Sequence, residues 1–161
     1  MAKHRTLAQP LKGYRIGDPA GEFPIFSGEG AKKVAARWHQ KGQEVIYAAD
    51  HLSLAMLEKL VHHSGRLPRG QHYIEITIPA GTSYEVVTAD SLPRWYEASC
   101  ATSRPFGTQW LEEKRTAILI VPSVVVRLER NILINPLHAD FKAITPGLET
   151  PITWDDRLFA P

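Results

Sequence analysis

Glu58 is a single carboxylate in an apolar setting, with Met56-Leu57 before it and Leu60-Val61 after it. A glutamate so placed costs stability unless it is solvated, paired or used. Tyr47 stands shortly upstream in the β-branched run Val45-Ile46-Tyr47-Ala48-Ala49. Arg15, after Tyr14, and Arg37, before Trp38, add two fixed cations. Taken singly, each has an ordinary reading. Arg15 can sit in water on a strand, and Arg37 can stack on an aromatic ring at the surface. Tyr47 can be a core tyrosine with a satisfied hydroxyl, and Glu58 can pair with His62 one turn on. Taken together, one carboxylate, one aromatic ring and two guanidinium groups suit a dinucleotide that carries a pyrophosphate and a cationic ring.

Other groupings are weaker. Ser27-Gly28-Glu29-Gly30 lacks the spacing of a phosphate loop and reads as a turn. His62-His63 point about 100° apart on a helix and lack the zincin order, so no metal site is expected. Ser123 follows Val121-Pro122 without the glycine elbow that exposes a nucleophile, so it reads as a hydrogen-bonding serine at a strand break. Arg104 and Lys114-Arg115 lack aromatic interleaving and read as solvated surface.

These groups need a scaffold. With 161 residues, one domain with a full core is expected. The chain is 43% hydrophobic and 22% charged, an ordinary globular balance. A net charge of +2 gives no strong field for nucleic acid or membrane. No apolar run approaches a membrane span. The single Cys100 rules out an internal disulfide, and a reducing, cytoplasmic compartment is the simplest reading.

The spacing of apolar residues and breakers predicts many short elements. Strands are expected at 13–16, 44–48, 73–78, 84–87, 117–121, 124–126 and 131–134, with an edge strand at 141–144. One helix runs from a Ser53 cap to about His63, with Leu54, Leu57 and Val61 on one stripe and Ala55, Glu58 and His62 on the next. A second helix is expected over 108–114, and the tail packs through Trp154, Leu158 and Phe159. Many strands with two helices give an α+β domain with a split or sandwiched antiparallel sheet.

The order of these segments resembles the RES-domain toxin family of bacterial toxin–antitoxin systems. The resemblance runs from Tyr14-Arg15-Ile16 to Asp156-Arg157-Leu158-Phe159. It is carried by Phe26-Ser27-Gly28-Glu29-Gly30, Ala36-Arg37-Trp38-His39, Val45-Ile46-Tyr47-Ala48-Ala49 and Leu57-Glu58-Lys59-Leu60-Val61-His62. It continues through Gly107-Thr108-Gln109-Trp110-Leu111, Val121-Pro122-Ser123 and Asn131-Ile132-Leu133-Ile134-Asn135-Pro136. One departure stands out: the family commonly has glycine before Arg-Trp, where this chain has Ala35-Ala36.

The resemblance implies one RES domain over 1–161, with 1–11 as a loose N-terminal arm. It implies an ADP-ribosyltransferase-like split β-sheet around a cleft for NAD+. The expected activity is cleavage of the nicotinamide–ribose bond, with ADP-ribose passing to a protein, water or phosphate. The family's arginine, glutamate and serine map onto Arg15 or Arg37, Glu58 and Ser123. Glu58, Tyr47 and Arg15 are then the expected catalytic residues. Arg15, Arg37, Tyr47, Ser123 and Asn135 are expected to contact NAD+, with no metal. Met56, two before Glu58, lacks the second acidic group of arginine-directed transferases. The implied partner is an Xre-type helix-turn-helix antitoxin that covers the NAD+ site in a hetero-oligomer. The competing class is a non-catalytic nucleotide- or partner-binding module. A nucleic-acid regulator is disfavoured by the small charge and the missing recognition helix.

Overall fold

The computed structural model describes residues 5–161. In chain order it contains β1 (Arg5–Thr6), β2 (Leu11–Gly17), β3 (Ile46–Ala49), α1 (Leu52–His62), β4 (His72–Ile78) and β5 (Ser83–Val86). Then follow α2 (Ser103–Glu113), β6 (Ile118–Pro122), β7 (Arg130–Ile134), β8 (Thr145–Pro146) and β9 (Thr150–Pro151). The strands form one sheet in the order β1-β5-β6-β7-β3-β2-β4-β8, with β9 also on β4. Every pair is antiparallel except β5–β6. The parallel pair needs a long crossover, and the segment between those strands supplies it, with α2 inside. The domain is α+β, and its sheet is mixed.

Alternation builds the faces. Ile74, Ile76 and Ile78 are at most 2% exposed and join Ile46, Ile118, Ile132 and Ile134 on one side. Each fully buried isoleucine contributes about 1.5–3 kcal/mol. Leu119, Val121 and Leu133 face the other way against Trp38, Trp95 and Trp110. Leu54 and Ala55 seat α1 on Ile16 and Ala49.

The sheet divides at β2. That strand pairs with β4 from Leu11↔Ile78 to Gly17↔His72, but with β3 only at Tyr14↔Ala49. Past that pair, β2 and β3 separate, and the expected split lies between them.

Several boundaries differ from the sequence reading. Position 51 is the N-cap of α1, and Ser53 lies inside the helix. Leu57 and Val61 are exposed, so the docking surface is the Leu54, Ala55 and Glu58 side. α2 begins five residues earlier than expected, at Ser103 rather than 108. Residues 124–126 form a bend rather than a strand, and Ala139–Ala143 is a 3-10 turn. Trp154 is buried, whereas Leu158 and Phe159 are exposed. Within 1–11, Arg5–Thr6 pairs with β5 and Leu11 opens β2; positions 1–4 lie outside the described residues.

Candidate active site

Glu58 lies one turn beyond Leu54 and Ala55, the residues that dock α1. Helical spacing therefore brings it down toward the sheet. Its Oε1 accepts hydrogen bonds from Ser123 Oγ and from Asn131 Nδ2, each at 2.9 Å. Among the described residues, Oε2 has no partner.

Ser123 directly follows β6 and is fully buried. Its hydroxyl donates to Glu58 and accepts from the amides of Val125 and Val126, both at 3.1 Å. A hydroxyl has one proton and two lone pairs, so Ser123 is saturated. It touches Glu58 and builds the bend at 124–126.

Strand register brings Tyr47 to the same face. Asn131 lies opposite Ala49 and opposite Val121. Tyr47 is two residues before Ala49, diagonal to Asn131 and within side-chain reach. Tyr47 Oη lies 2.7 Å from His39 Nδ1. The other nitrogen, Nε2, faces the carbonyls of Ala31 at 2.8 Å and Val34 at 3.0 Å. Carbonyls only accept, so Nε2 carries the proton and Nδ1 receives the phenol proton. Burial pushes the Tyr47 phenol well above its ordinary value, opposed by the Trp38 amide. The hydroxyl is thus tethered inward, and the half-buried ring is what Tyr47 offers to a ligand.

Arg15 bridges the split. Its Nε donates to Ile25 O at 2.7 Å and Nη1 donates to Tyr47 O at 2.9 Å. A guanidinium takes the place of a ladder partner for Tyr47 where β2 leaves β3. Burial lowers its pKa, yet an arginine stays charged. Nη2 has no partner among the described residues.

Arg37 Nη1 donates to Trp95 O at 3.0 Å and Glu97 O at 2.8 Å. That loop is also gripped by Arg127, whose guanidinium lies 4.8 Å from the Tyr96 ring centre and 5.4 Å from that of Trp95. Arg127 follows the bend that Ser123 holds, so Arg37 and Glu58 are joined through this loop.

Asn135 is 1% exposed. Its Nδ2 donates to Leu111 O at 3.3 Å and its Oδ1 accepts from the Leu137 amide at 3.0 Å. It fixes a turn with both ends of its side-chain amide. Asn131 and His39 are the site residues that sequence reasoning missed. The polar head of the apolar run Ile132-Leu133-Ile134 was a usable signal for Asn131. His39 carried none beyond its place after Arg37-Trp38.

α2 supports the Arg37–His39 segment from below. A Cβ on Gly107 would lie 1.9 Å from Trp38 O, so only glycine permits this approach. Elsewhere, Asp50, His51 and Glu129 bring potential ligand atoms within 4.8 Å of one another. His51 Nδ1 already pairs with Asp50 Oδ1 at 2.9 Å. Two open cavities lie outside the Glu58 cluster: about 610 Å³ beside Tyr14, Tyr73 and Glu75, and about 490 Å³ beside Cys100 and Arg104. The Glu58 cluster is defined by its hydrogen bonds, not by either cavity. No helix among the described residues is long and apolar enough to cross a membrane.

Comparison with known proteins shows the family and the fold. The chain is 46% identical over 152 residues to the Prs ADP-ribosylating toxin of Sphingobium sp. (strain YBL2), covering 90% of this chain and 94% of that one. It is 34% identical over 137 residues to Toxin Res of Yersinia enterocolitica, covering 83% and 90%. Its fold matches a chain in the crystal structure of the M. tuberculosis MbcT–MbcA toxin–antitoxin complex. The TM-score is 0.71 over 92% of this chain and 87% of that one, at 14% identity. The RES domain model matches residues 12–155, nearly the span that holds every residue described above, and the chain belongs to the RES domain family.

Proposed function

We propose that this chain is the toxin of a toxin–antitoxin pair and that it cleaves the nicotinamide–ribose bond of NAD+. The observation that carries the reading is the one-sided hold on Glu58: Oε1 is saturated by Ser123 and Asn131, and Oε2 is left open among the described residues. Relatives named as toxins, one of them ADP-ribosylating, support it.

The chemistry suits this arrangement. The bond from C1′ to the ring nitrogen breaks, neutral nicotinamide leaves with the electron pair, and an oxocarbenium-like ribose develops. A fixed carboxylate oxygen beside that ribose stabilises the growing positive charge, or holds a ribose hydroxyl or the acceptor. The Tyr47 ring stacks on the nicotinamide. Arg15 and Arg37 face the pyrophosphate through planar donors. ADP-ribose passes to a protein, to water or to phosphate. The partner is an Xre-type helix-turn-helix antitoxin that covers this site in the cytoplasm.

The test uses NAD+ labelled on its adenylate, incubated with the pure chain, with and without phosphate and cell lysate. Free nicotinamide with ADP-ribose indicates hydrolysis. Phosphorylated ADP-ribose indicates phosphorolysis, and a labelled protein band indicates transfer. Intact NAD+ in every arm overturns the enzymatic reading in favour of a binding module.

A further inference from the structure

The cavity on the outer side of α2 holds a guanidinium and a hydroxyl that the fold leaves unused. Its volume is about 490 Å³, inside the range of about 300–1,000 Å³ usual for small-ligand sites. One wall is a single face of α2, where Arg104, Thr108 and Glu112 recur at intervals of four residues with Gln109 beside them. Gln40 and residues 99–101 close the other sides. α2 buries Gly107, Trp110 and Leu111 and turns this face outward. None of the lining residues belongs to the network of Glu58, Ser123 and Asn131.

Arg104 is half-buried. Its Nε donates to Ala36 O at 2.7 Å, which restrains the plane of the guanidinium. Among the described residues, Nη1 and Nη2 have no hydrogen-bond partner and no carboxylate pairs with the charge. Glu112 lines the same cavity but takes Gln40 Nε2 at 3.5 Å instead. A half-buried charge with an empty donor fork is costly until a partner arrives. Thr108 Oγ1 is also buried without a partner among the described residues. Unmet buried hydroxyls are uncommon and destabilising. A helical threonine has two accessible rotamers, so this one can turn its hydroxyl to a ligand.

The charges select the ligand. The free edge of Nη1 and Nη2 matches the two oxygens of a carboxylate. Glu112 stands eight residues further along α2, about 12 Å down the axis. Its charge disfavours a dianion such as phosphate and suits an ammonium. Neutral amide groups of Gln40 and Gln109 lie along the cavity and suit peptide bonds. An extended tripeptide spans about 10 Å, so its two ends reach both charges. We infer that this cavity is a second binding site, and that it takes a short zwitterionic peptide with its carboxylate on Arg104 and its ammonium toward Glu112. A free amino acid carries the same two groups at closer spacing.

The experiment titrates the isotope-labelled chain by NMR in the absence of NAD+, so it reads independently of the proposed function. The probes are triglycine, its C-terminal amide, its N-acetyl form, glycine and inorganic phosphate. Triglycine is expected to shift the amides of Gln40, residues 99–101 and the first two turns of α2. The C-terminal amide is expected to bind about tenfold more weakly, because the charge-assisted contact is lost. Arg104→Met, which keeps the apolar stem, is expected to lose as much. Thr108→Val, nearly isosteric, is expected to lose about threefold. Glu112→Gln is expected to erase the preference for the free amine over the N-acetyl form. Thermal melts establish folding, and Thr108→Val with Glu112→Gln carries the test if Arg104→Met unfolds. Tighter binding of triglycine than of glycine supports a peptide, and the reverse supports a free amino acid at the same site. Equal affinity for triglycine and its amide, unchanged affinity in folded Arg104→Met or in both other variants, preference for phosphate, or no shift at the cavity with any probe overturns the inference.

Discussion

Ser123 gives its only proton to Oε1 of Glu58 at 2.9 Å while both of its lone pairs hold the amides of Val125 and Val126. The bond runs from a residue with no exposed surface to the carboxylate of the proposed active site. A serine in this position is a support: it orients the acid and shapes the bend beside it. Because its proton and lone pairs are all engaged, it has neither a free proton nor a free lone pair for attack.

Ser123→Ala is therefore expected to act on stability and activity together. Two amides and one side of the carboxylate lose their partner, at a cost of about 1–3 kcal/mol. For a domain of this size that lowers Tm by roughly 2–4 °C per kcal/mol. Calorimetric unfolding and an NAD+ assay check both. An unchanged Tm would show that the hydroxyl is dispensable.

Glu58→Gln keeps an oxygen that Ser123 and Asn131 can still address, so the fold is expected to hold. NAD+ loss is expected to fall by at least about 10²-fold, because the charge beside the ribose is gone. Chromatographic release of nicotinamide measures it. A variant that consumes NAD+ at the native rate removes Glu58 from the mechanism.

Tyr47→Phe keeps the ring and removes the tether to His39. Nδ1 of a histidine that is 2% exposed is then left without its donor, at about 1–3 kcal/mol. NAD+ affinity is expected to change far less than in Tyr47→Ala. The pH dependence follows from the same burial. The folded-state pKa of Tyr47 is raised, so its contribution to stability is complete below the unfolded value of about 10 and declines as pH rises beyond it. Tyr14, raised mainly by burial and then by Glu75, adds to the same alkaline limb. Denaturant titrations between about pH 9 and 11 should show a shallower decline in Tyr47→Phe than in the native chain.

Arg37→Ala removes two hydrogen bonds to the Trp95–Glu97 loop. NAD+ binding is expected to weaken by about 1–3 kcal/mol, from the lost charge-assisted contact and the freed loop. Isothermal titration decides it, and unchanged affinity would return Arg37 to a purely structural position.

Gly107→Ala forces a methyl group to within 1.9 Å of Trp38 O unless the helix shifts. Overpacking of this kind costs about 1–3 kcal/mol or more. Trp38 lies between Arg37 and His39, so NAD+ affinity is expected to drop with stability. A native Tm would mean that α2 slides without resistance.

Much of the sheet was legible because its strands are periodic. Tyr73 to Ile78 alternates cleanly, and the core isoleucines follow from it. The start of α2 was hidden because Pro105 and Gly107 look like helix breakers. Pro105 sits in the first turn, where a missing N–H costs nothing, and Gly107 is required by the Trp38 approach. The docking side of α1 was not legible, because Leu57 and Val61 are apolar yet exposed, and composition cannot say which of two neighbouring stripes docks. Glu58 and Ser123 stood out as polar groups in apolar runs. Asn135 entered the expected site through the family resemblance, whereas the contact of Asn131 with Glu58 depends on register across β3, β7 and β6. His39 depends on a loop closing over a strand, which no local pattern encodes.

The guanidinium that stands in for a strand across the split has a consequence for motion. On the β4 side, the backbone amides of β2 are locked in a seven-residue ladder. On the β3 side, one pair and one side chain do that work. Deuterium should therefore enter the β3-facing edge of β2 well before the β4-facing edge. The hinge line of the domain would run along the groove where the dinucleotide is proposed to lie.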